Sequence, residues 1–241
     1  MKAVILAGGR GTRLAPYTYV LPKPLMPVGD KAILEILLCQ LKRAGINRVV
    51  LTVGHLSGLI HAFFQDGGQY DLEISYSYEQ KPLGTAGPLA MIPDLTETFL
   101  VANGDVLTLL NIQDMLAFHR AQGSICTIAM HQREVKIDLG VIEQNGSDLN
   151  AITGYVEKPA FNYKVSMGLY VFEPGVLKYV PQDSYLDFPN LVQRLLGAGE
   201  RVVGYDFDGY WMDLGNRDDY VQANRDFEQM RSQFFPEGSC R

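Results

Sequence analysis

The glycine-rich turn directly after the first apolar run of the chain places the strongest constraint on its fold. Residues 2–6 (KAVIL) predict a buried β-strand, and Gly8, Gly9 and Gly11 follow at once. Glycines let the backbone turn tightly and approach a ligand closely, which leaves N–H groups free to face a phosphate. We therefore expect a ligand-binding turn at the carboxyl end of the first strand, although such a segment can also be an ordinary tight connection.

Two basic side chains favour the ligand-binding interpretation of this turn. Arg13 carries a planar guanidinium that suits phosphate oxygens, and Thr12 adds a hydroxyl donor. Lys23 is fenced by Pro22 and Pro24, which restrict the backbone on both sides. The segment is neither a Walker loop, because no GKS or GKT follows, nor a complete dinucleotide fingerprint, because the third glycine is missing. The pattern predicts two positive charges aimed at one polyphosphate.

Composition excludes several classes of partner. The chain has 241 residues, with 21 lysines and arginines against 27 acidic residues, and its net charge of -6 gives no sequence-wide attraction to nucleic acid or to an anionic membrane. No stretch of 18 apolar residues occurs. Three widely spaced cysteines without a CxxC pair argue against a zinc site and a disulfide framework. We expect a cytoplasmic protein with no nucleic-acid or membrane partner; the sequence leaves its oligomeric state open and is compatible with a homo-oligomer.

Apolar runs in the first 123 residues alternate between strand and helix patterns. The predicted strands are 2–6, 48–53, 72–78 and 99–102, and the predicted helices are 32–43, 56–64, 85–91 and 112–120. This order predicts an α/β fold with a mainly parallel sheet, covered by helices, whose strands carry ligand groups at their carboxyl ends.

The second half of the chain has a different pattern. Strand-like runs at 124–130, 139–144, 151–158 and 165–172, separated by turn residues such as Asn145-Gly146, predict hairpins and a mixed sheet. Helical spacing returns at 187–196 and 217–230.

Two isolated aspartates are candidates for binding a metal ion. Asp105 follows the predicted strand 99–102 in the sequence NGD, and Asp213 lies in YWMDLG. Magnesium prefers oxygen ligands and commonly takes one or two carboxylates plus substrate phosphates. An isolated aspartate can equally cap a helix or a turn, and the adjacent Glu157 and Lys158 can be a solvated ion pair.

Taken in order, the motifs GGRGTRL, PKPLMPVGDKAILE, PLGTAG, NGD, EKP and WMDLG resemble those of the sugar-1-phosphate nucleotidylyltransferases, also called nucleotide-sugar pyrophosphorylases, over residues 1–228. The stretch around PLGTAG is most similar to mannose-1-phosphate guanylyltransferase-like members. The resemblance implies a Rossmann-like core and a smaller mixed β sugar-binding part, without a C-terminal left-handed β-helix. We expect a single domain over 1–241, with a nucleotide-binding core at 1–123, a sugar-binding part and closing helix at 124–230, and a weakly ordered tail at 231–241.

The resemblance also assigns roles to individual residues. The catalytic cations would be Arg13 and Lys23, and the Mg2+ ligands Asp105 and Asp213. Residues matching the nucleotide site are Leu6, Ala7, Gly8, Gly9, Gly11, Thr12, Glu79, Gln80 and Gly84. Residues matching the sugar-phosphate site are Gly140, Glu157, Lys158 and Ser166.

The implied reaction joins a nucleoside triphosphate to a sugar 1-phosphate with Mg2+, giving a nucleoside diphosphate sugar and pyrophosphate. Either Glu79 or Gln80 would face the base. A carboxylate can accept both N–H donors of the guanine edge, whereas an amide suits uracil or thymine. GTP with a mannose- or heptose-type 1-phosphate is slightly favoured over UTP or dTTP with a glucose-type 1-phosphate. A non-catalytic nucleotide-sugar sensor is the alternative of another class, and a glycosyltransferase fits poorly because NGD is not a DxD metal pair.

Overall fold

The structure is a computed structural model and describes residues 1–144 and 150–236. The strands are, in chain order, β1 (Lys2–Leu6), β2 (Pro27–Val28), β3 (Lys31–Ala32), β4 (Arg48–Val53), β5 (Glu73–Tyr78), β6 (Phe99–Asn103), β7 (Val106–Thr108), β8 (Cys126–Lys136), β9 (Val141–Gln144), β10 (Ile152–Val156), β11 (Ala160–Phe172), β12 (Val202–Asp206) and β13 (Trp211–Asp213). The α-helices are α1 (Ile33–Arg43), α2 (Ser57–Phe64), α3 (Ile112–Gln122), α4 (Phe188–Gly197) and α5 (Arg217–Phe234).

A seven-stranded sheet in the order β12-β8-β11-β6-β1-β4-β5 forms the centre of the fold. β1 pairs in parallel with β4 and β6, and β4 pairs in parallel with β5. β11 runs antiparallel to β6 and β8, whereas β12 is parallel to β8. The predicted α/β fold with a mainly parallel sheet covered by helices is confirmed, and its carboxyl-end edge places the segments after β1 and β6 side by side.

β1 is apolar throughout because both of its faces are buried. Ala3 and Ile5 pack into the core on one side of the sheet, and Val4 packs into the core on the other side. Parallel strands covered on both faces have this continuous apolar pattern instead of alternation. The rigid strand that results carries the glycine-rich turn at its end.

Beyond the sheet, β8 and β11 continue as a two-stranded arm that reaches the pair Ala160 and Lys136. β9 and β10 form a separate antiparallel ribbon next to it. Most ribbon side chains are exposed, and Tyr155 keeps 64% of its surface accessible. The arm strands are longer than their apolar runs, since their distal halves cover no core and carry polar residues.

Several local predictions need correction or fall outside the described residues. The predicted helix at 85–91 is a short 3-10 turn over Gly87–Met91 that begins beside Pro88. Residues 231–234 continue α5, and Phe234 is fully buried, so the weakly ordered tail predicted from 231 is wrong for these four residues. Residues 237–241 and the predicted Asn145-Gly146 turn lie outside the described residues.

Two further findings concern the cysteines and the helices. Cys126 is a free, buried thiol, whereas Cys39 is disulfide-bonded, which the spacing of the cysteines did not predict. Within residues 1–144 and 150–236, the structure contains no helix with the length and apolar content needed to cross a membrane.

Candidate active site

The turn after β1 is shaped by Gly11. Its φ of +60° lies in the left-handed region, and a Cβ atom there would come within 2.9 Å of the Thr18 side chain. The Thr18 hydroxyl donates to the Gly11 carbonyl at 2.9 Å, and the Leu14 N–H donates to the same carbonyl at 2.9 Å. These bonds close the short 3-10 turn Thr12–Leu14 that carries Arg13. Thr18 therefore stabilises the turn through its hydrogen bond to Gly11, a role that the sequence did not indicate.

Hydrogen bonding between two neighbouring strand ends brings Asp105 to this turn. Leu6 is the register partner of Asn103, and the Gly104 N–H donates to the Leu6 carbonyl at 2.9 Å. Asp105 follows directly, so the NGD motif and the glycine-rich turn lie side by side. The predicted position of Asp105 at the carboxyl edge of a parallel sheet is what the register produces.

Lys23 is held between the two candidate metal ligands. It begins the 3-10 turn Lys23–Leu25 after the extended Pro22, and only 10% of its side chain is exposed. Its ammonium donates to Asp105 Oδ2 and lies 3.8 Å from Asp213 Oδ1. The sequence pattern predicts a cation aimed at phosphate at this position, and the structure adds an ion pair between Lys23 and Asp105 that the spacing of the residues does not reveal.

Asp213 completes a mixed cluster of charges. β13 pairs with β7, and the Leu214 N–H donates to the Asp105 carbonyl at 3.3 Å, which places the two aspartates on adjacent segments. Burial is the main cause that raises the pKa of Asp213, and the charge of Asp105 raises it further. Lys23 and Arg13 act in the opposite direction. The cluster therefore combines two carboxylates with two cations.

Two adjoining cavities meet at Asp105. The larger has a volume of about 630 Å³ and the smaller about 270 Å³, and both are bounded by Leu6, Gly9 and Asp105. The predicted nucleotide residues that line the larger cavity are Leu6, Gly8, Gly9, Glu79, Gln80 and Gly84. The predicted phosphate-binding and catalytic residues that line the smaller cavity are Ala7, Gly9, Gly11, Thr12, Arg13 and Lys23.

Of the two side chains proposed to face the base, Glu79 is the one that points inward. It is half-buried, whereas Gln80 is exposed. Glu79 Oε2 accepts the Leu83 N–H at 3.1 Å, and Oε1 lies close to Gly8 on the opposite wall. Burial raises the pKa of the Glu79 carboxyl, while the bond from Leu83 lowers it. The turn at 79–83 thus presents a carboxylate to the larger cavity.

The donor set beside Lys23 fits a magnesium ion. Oδ1 of Asp105 is buried and makes no hydrogen bond in the part of the chain that the structure describes. Within that part, no cluster of three or more histidine, cysteine or acidic side chains is arranged for a metal. Asp105 and Asp213 are a two-carboxylate set, and Mg2+ commonly completes such a set with water and substrate phosphates. An acceptor left without a donor is costly unless a cation or water satisfies it.

The predicted sugar-phosphate residues fall into two groups. Gly140 lies against the ring of Tyr155, whose hydroxyl donates to Glu157 at 3.1 Å, and Lys158 follows with a φ of +46°. These three residues are on or next to the ribbon and line neither cavity. Ser166 is nearer, because its hydroxyl accepts the Gly168 N–H at 3.3 Å and Gly168 contacts the Asn103 side chain.

Several lining residues of the larger cavity were not predicted as site residues, among them His55, Tyr185 and Asp187. His55 follows β4, and Tyr185 and Asp187 come from the segment before α4. No spacing or composition signal marks them, since Asp187 has the pattern of an ordinary helix start.

Comparison with known proteins identifies related chains across almost the whole sequence. A family model described as "Nucleotidyl transferase" matches residues 2–230. A UTP–glucose-1-phosphate uridylyltransferase of Synechocystis is 34% identical over 93% of this chain, and a mannose-1-phosphate guanyltransferase of Schizosaccharomyces pombe is 34% identical over 92%. The matches span 63% and 62% of those two relatives, so the chain covers less than two thirds of their length.

A solved structure has the same fold. The crystal structure of a putative glucose-1-phosphate thymidylyltransferase from Bacillus anthracis, in complex with sucrose, superposes with a TM-score of 0.76. The alignment covers 93% of this chain and 94% of that one at 24% sequence identity. At this identity the likeness concerns the fold.

Proposed function

The chain belongs to the nucleotidyl transferase family, and from this premise we propose that it transfers a nucleotidyl group from a nucleoside triphosphate to a sugar 1-phosphate. The products are a nucleoside diphosphate sugar and pyrophosphate. The relatives that it matches are named as transferases of this kind for glucose 1-phosphate and mannose 1-phosphate.

One observation carries the proposal: a cavity large enough for a nucleoside adjoins a smaller cavity lined by Arg13, Lys23 and the glycine-rich turn. Asp105 borders both of them. A nucleoside in the larger cavity would direct its phosphates into the smaller one, where backbone N–H groups and two cations face them.

In the proposed reaction, a phosphate oxygen of the sugar 1-phosphate attacks the α-phosphorus of the nucleoside triphosphate. The bond from the α-phosphorus to the bridging oxygen breaks, and pyrophosphate leaves with the electron pair. The attacking oxygen is already an anion, so no general base is needed, and positioning and charge stabilisation are the main catalytic contributions. Arg13 neutralises the leaving phosphates, while Lys23 and Lys158 hold the attacking one.

Magnesium is part of this proposal. Asp105 and Asp213 would hold the ion, and when bound it would supply positive charge to the phosphate oxygens. Lys23 already compensates Asp105 in the described structure, so this chain keeps a cation beside its carboxylates.

For the base and the sugar, we propose GTP with a mannose- or heptose-type 1-phosphate. The inward carboxylate of Glu79 supports guanine, because it can accept two N–H donors from one edge of the base. UTP or dTTP with a glucose-type 1-phosphate is the second candidate, and the name of the uridylyltransferase relative supports the uridine form of it.

The proposal also assigns a substrate to each region of the chain and a cellular location to the activity. Residues 1–123 would bind the nucleotide, and residues 124–230 would bind the sugar phosphate, with Gly140, Glu157, Lys158 and Ser166 as its contacts. We place the activity in the cytoplasm, where nucleoside triphosphates and sugar phosphates are made.

The test is pyrophosphate release with Mg2+, crossing GTP, UTP, dTTP, CTP and ATP with mannose, glucose, glucosamine and heptose 1-phosphates. One productive pair with formation of the matching nucleotide sugar supports the transferase and identifies both substrates. If no pair releases pyrophosphate but calorimetry shows tight binding of a nucleotide sugar, the protein is a non-catalytic nucleotide-sugar sensor and the transferase proposal is wrong.

A further inference from the structure

The turn at Leu83–Gly87 beside Glu79 is held by a distant segment, residues 184–188. The Leu186 N–H donates to the Leu83 carbonyl at 2.9 Å, and the Leu186 carbonyl accepts the N–H groups of Ala86 at 2.8 Å and Gly87 at 3.0 Å. These backbone bonds join two segments about 100 residues apart in sequence. We call this pairing of Leu83–Gly87 with Ser184–Phe188 the clasp.

Asp187 is the side chain that closes the clasp. Its Oδ1 accepts the Thr85 N–H at 2.9 Å and the Thr85 hydroxyl at 3.2 Å, and its Oδ2 accepts the Tyr185 hydroxyl at 2.7 Å. Gly84 fits against it only without a side chain, since a Cβ atom would lie 2.6 Å from the Leu186 carbonyl at a φ of +77°. Two hydrogen bonds from Thr85 thus tie this carboxylate to the turn, and the bond from Tyr185 orients the carboxylate within its own segment.

Helix α4, which follows, has no side-chain hydrogen bond at its N-cap, because the Asp187 side chain bonds to the turn instead. Asp187 occupies the N-cap position of α4, where an aspartate ordinarily accepts an N–H of its own helix, yet its side chain makes no such bond. The Phe188 N–H of α4 donates instead to the Thr85 hydroxyl at 2.9 Å. Asp187 is thus directed away from its own helix and toward the turn that borders the larger cavity.

The Leu83–Gly87 turn determines where the Glu79 carboxylate lies. Leu83 is held on both sides: its carbonyl accepts the Leu186 N–H, and its N–H donates to Glu79 Oε2. A shift of Leu83 would move or release the carboxylate, because no second hydrogen bond to Glu79 from a side chain is found among the described residues. The chain of contacts runs from Asp187 through Thr85 and Leu83 to Glu79.

We propose that Asp187 is a positioning residue for nucleobase selection: by fixing the Leu83–Gly87 turn, it holds the Glu79 carboxylate where it accepts the N–H donors of guanine. This inference rests on the proposed function. It goes beyond that proposal, because it assigns the selection of the base to a residue outside the nucleotide-binding half of the chain.

The experiment measures binding of GTP and ITP with Mg2+ by calorimetry, without sugar phosphate, to the wild type and to Asp187→Ala, Asp187→Asn and Glu79→Gln. Inosine lacks the exocyclic amine of guanine, so the ratio of the two affinities reports how Glu79 uses that donor. We expect Asp187→Ala to lower the GTP-to-ITP ratio about tenfold, as loss of a hydrogen bond to a charged group does. Asp187→Asn keeps an oxygen for Thr85 and should restore most of the ratio.

Two controls separate positioning from general damage. Asn111→Ala removes the side-chain cap of α3, where Asn111 accepts the Gln113 N–H at 3.0 Å, and should lower the melting temperature without changing the ratio. The double variant of Asp187→Ala and Glu79→Gln should be no less selective than Glu79→Gln alone, since both changes remove the same interaction.

A wild-type ratio near one, an unchanged ratio in Asp187→Ala, or additive effects in the double variant would each overturn the role of Asp187. Failure of the proposed function would be visible separately, as absence of nucleotide-sugar formation in a wild-type protein that still binds GTP selectively.

Discussion

At the scale of single residues, the contact between Lys23 and Asp105 is the feature that the sequence could least predict. The two residues are 82 positions apart, and the sequence predicted them separately, Lys23 for a phosphate and Asp105 for a metal ion. That they pair with each other depends on the register of β1 and β6, which no local pattern encodes. Likewise, burial of Glu79 and exposure of Gln80 depend on where β5 ends.

Lys23→Ala should lower turnover by about 10^2-fold or more, and Asp105→Ala should do the same, since each removes one preorganised charge. The measurement is the rate of pyrophosphate release at saturating substrates, with circular dichroism to show that the fold is kept. Near-normal turnover in either variant would remove that residue from the mechanism.

Lys23→Ala should also increase the effect of magnesium on the melting temperature of the protein without substrates. In Lys23→Ala the carboxylates of Asp105 and Asp213 lose the nearer of their two cations, and the repulsion between them that Lys23 had offset destabilises the fold. Added Mg2+ should therefore raise the melting temperature of this variant more than that of the wild type. An equal rise in melting temperature for the variant and the wild type in scanning fluorimetry would contradict a single site at which Lys23 and Mg2+ neutralise the same carboxylates.

Glu79→Gln should stabilise the protein near neutral pH. Burial raises the pKa of Glu79 above its ordinary value of 4.5, so the folded state holds the proton more tightly than the unfolded state does. Below pH 4.5 both states are protonated and the two proteins should differ little. As pH rises through the raised pKa, ionisation destabilises the wild type only. Chemical denaturation from pH 4 to pH 8 measures the difference, and a gap that shrinks with rising pH would refute this assignment.

At the scale of elements, α5 is attached to the rest of the molecule at Gly29. The Gly29 N–H donates to Asn224 of α5 at 2.9 Å, and a Cβ atom on Gly29 would lie 2.7 Å from the Phe227 ring. Arg231 adds an ion pair to Asp30 at 2.7 Å. Because α5 directly follows β13, this attachment also fixes the strand that carries Asp213.

Gly29→Ala should lower the free energy of unfolding by more than the strain of a left-handed residue, which is about 1–2 kcal/mol. Gly199→Ala is the matched control, since Gly199 has a φ of +75° and no atom within 4 Å of its Cβ position. Thermal denaturation of both variants measures the contribution of the Phe227 contact. An equal loss of stability in Gly29→Ala and Gly199→Ala would show that α5 shifts to accommodate the added methyl group without loss of free energy.

The elements also show where sequence patterns succeed. Buried strands such as β1 and amphipathic helices such as α1 were predicted within one residue, because a core imposes their periodicity. β12 was missed, since this short edge strand is only partly buried and lacks alternation. The distal halves of β8 and β11 were missed because the arm buries too little apolar surface to leave a pattern.

At the scale of the whole molecule, stability should decrease from the sheet toward the arm. β1 and β6 are buried on both faces, whereas the ribbon of β9 and β10 has exposed side chains on both. A two-stranded ribbon has marginal stability by itself. The proposed sugar contacts Glu157 and Lys158 lie just after this ribbon, so we expect the segment that carries them to be less stable than the sheet.

Native-state hydrogen exchange should therefore show opening free energies near zero in β9 and β10 and close to the global value in β1 and β6. A nucleotide and a sugar 1-phosphate added together should slow exchange in the ribbon more than either does alone. Protection of the ribbon equal to that of β1 in the protein without ligands would indicate that another surface covers it, as in a homo-oligomer.

The clasp has a consequence for recombination between related enzymes. Its two segments, Leu83–Gly87 and Ser184–Phe188, are far apart in sequence and match each other through one carboxylate and one glycine. A crossover anywhere between them would join halves from different parents and separate the matched pair. If Asp187 has the role proposed above, a transplant of base preference between related enzymes requires both segments together.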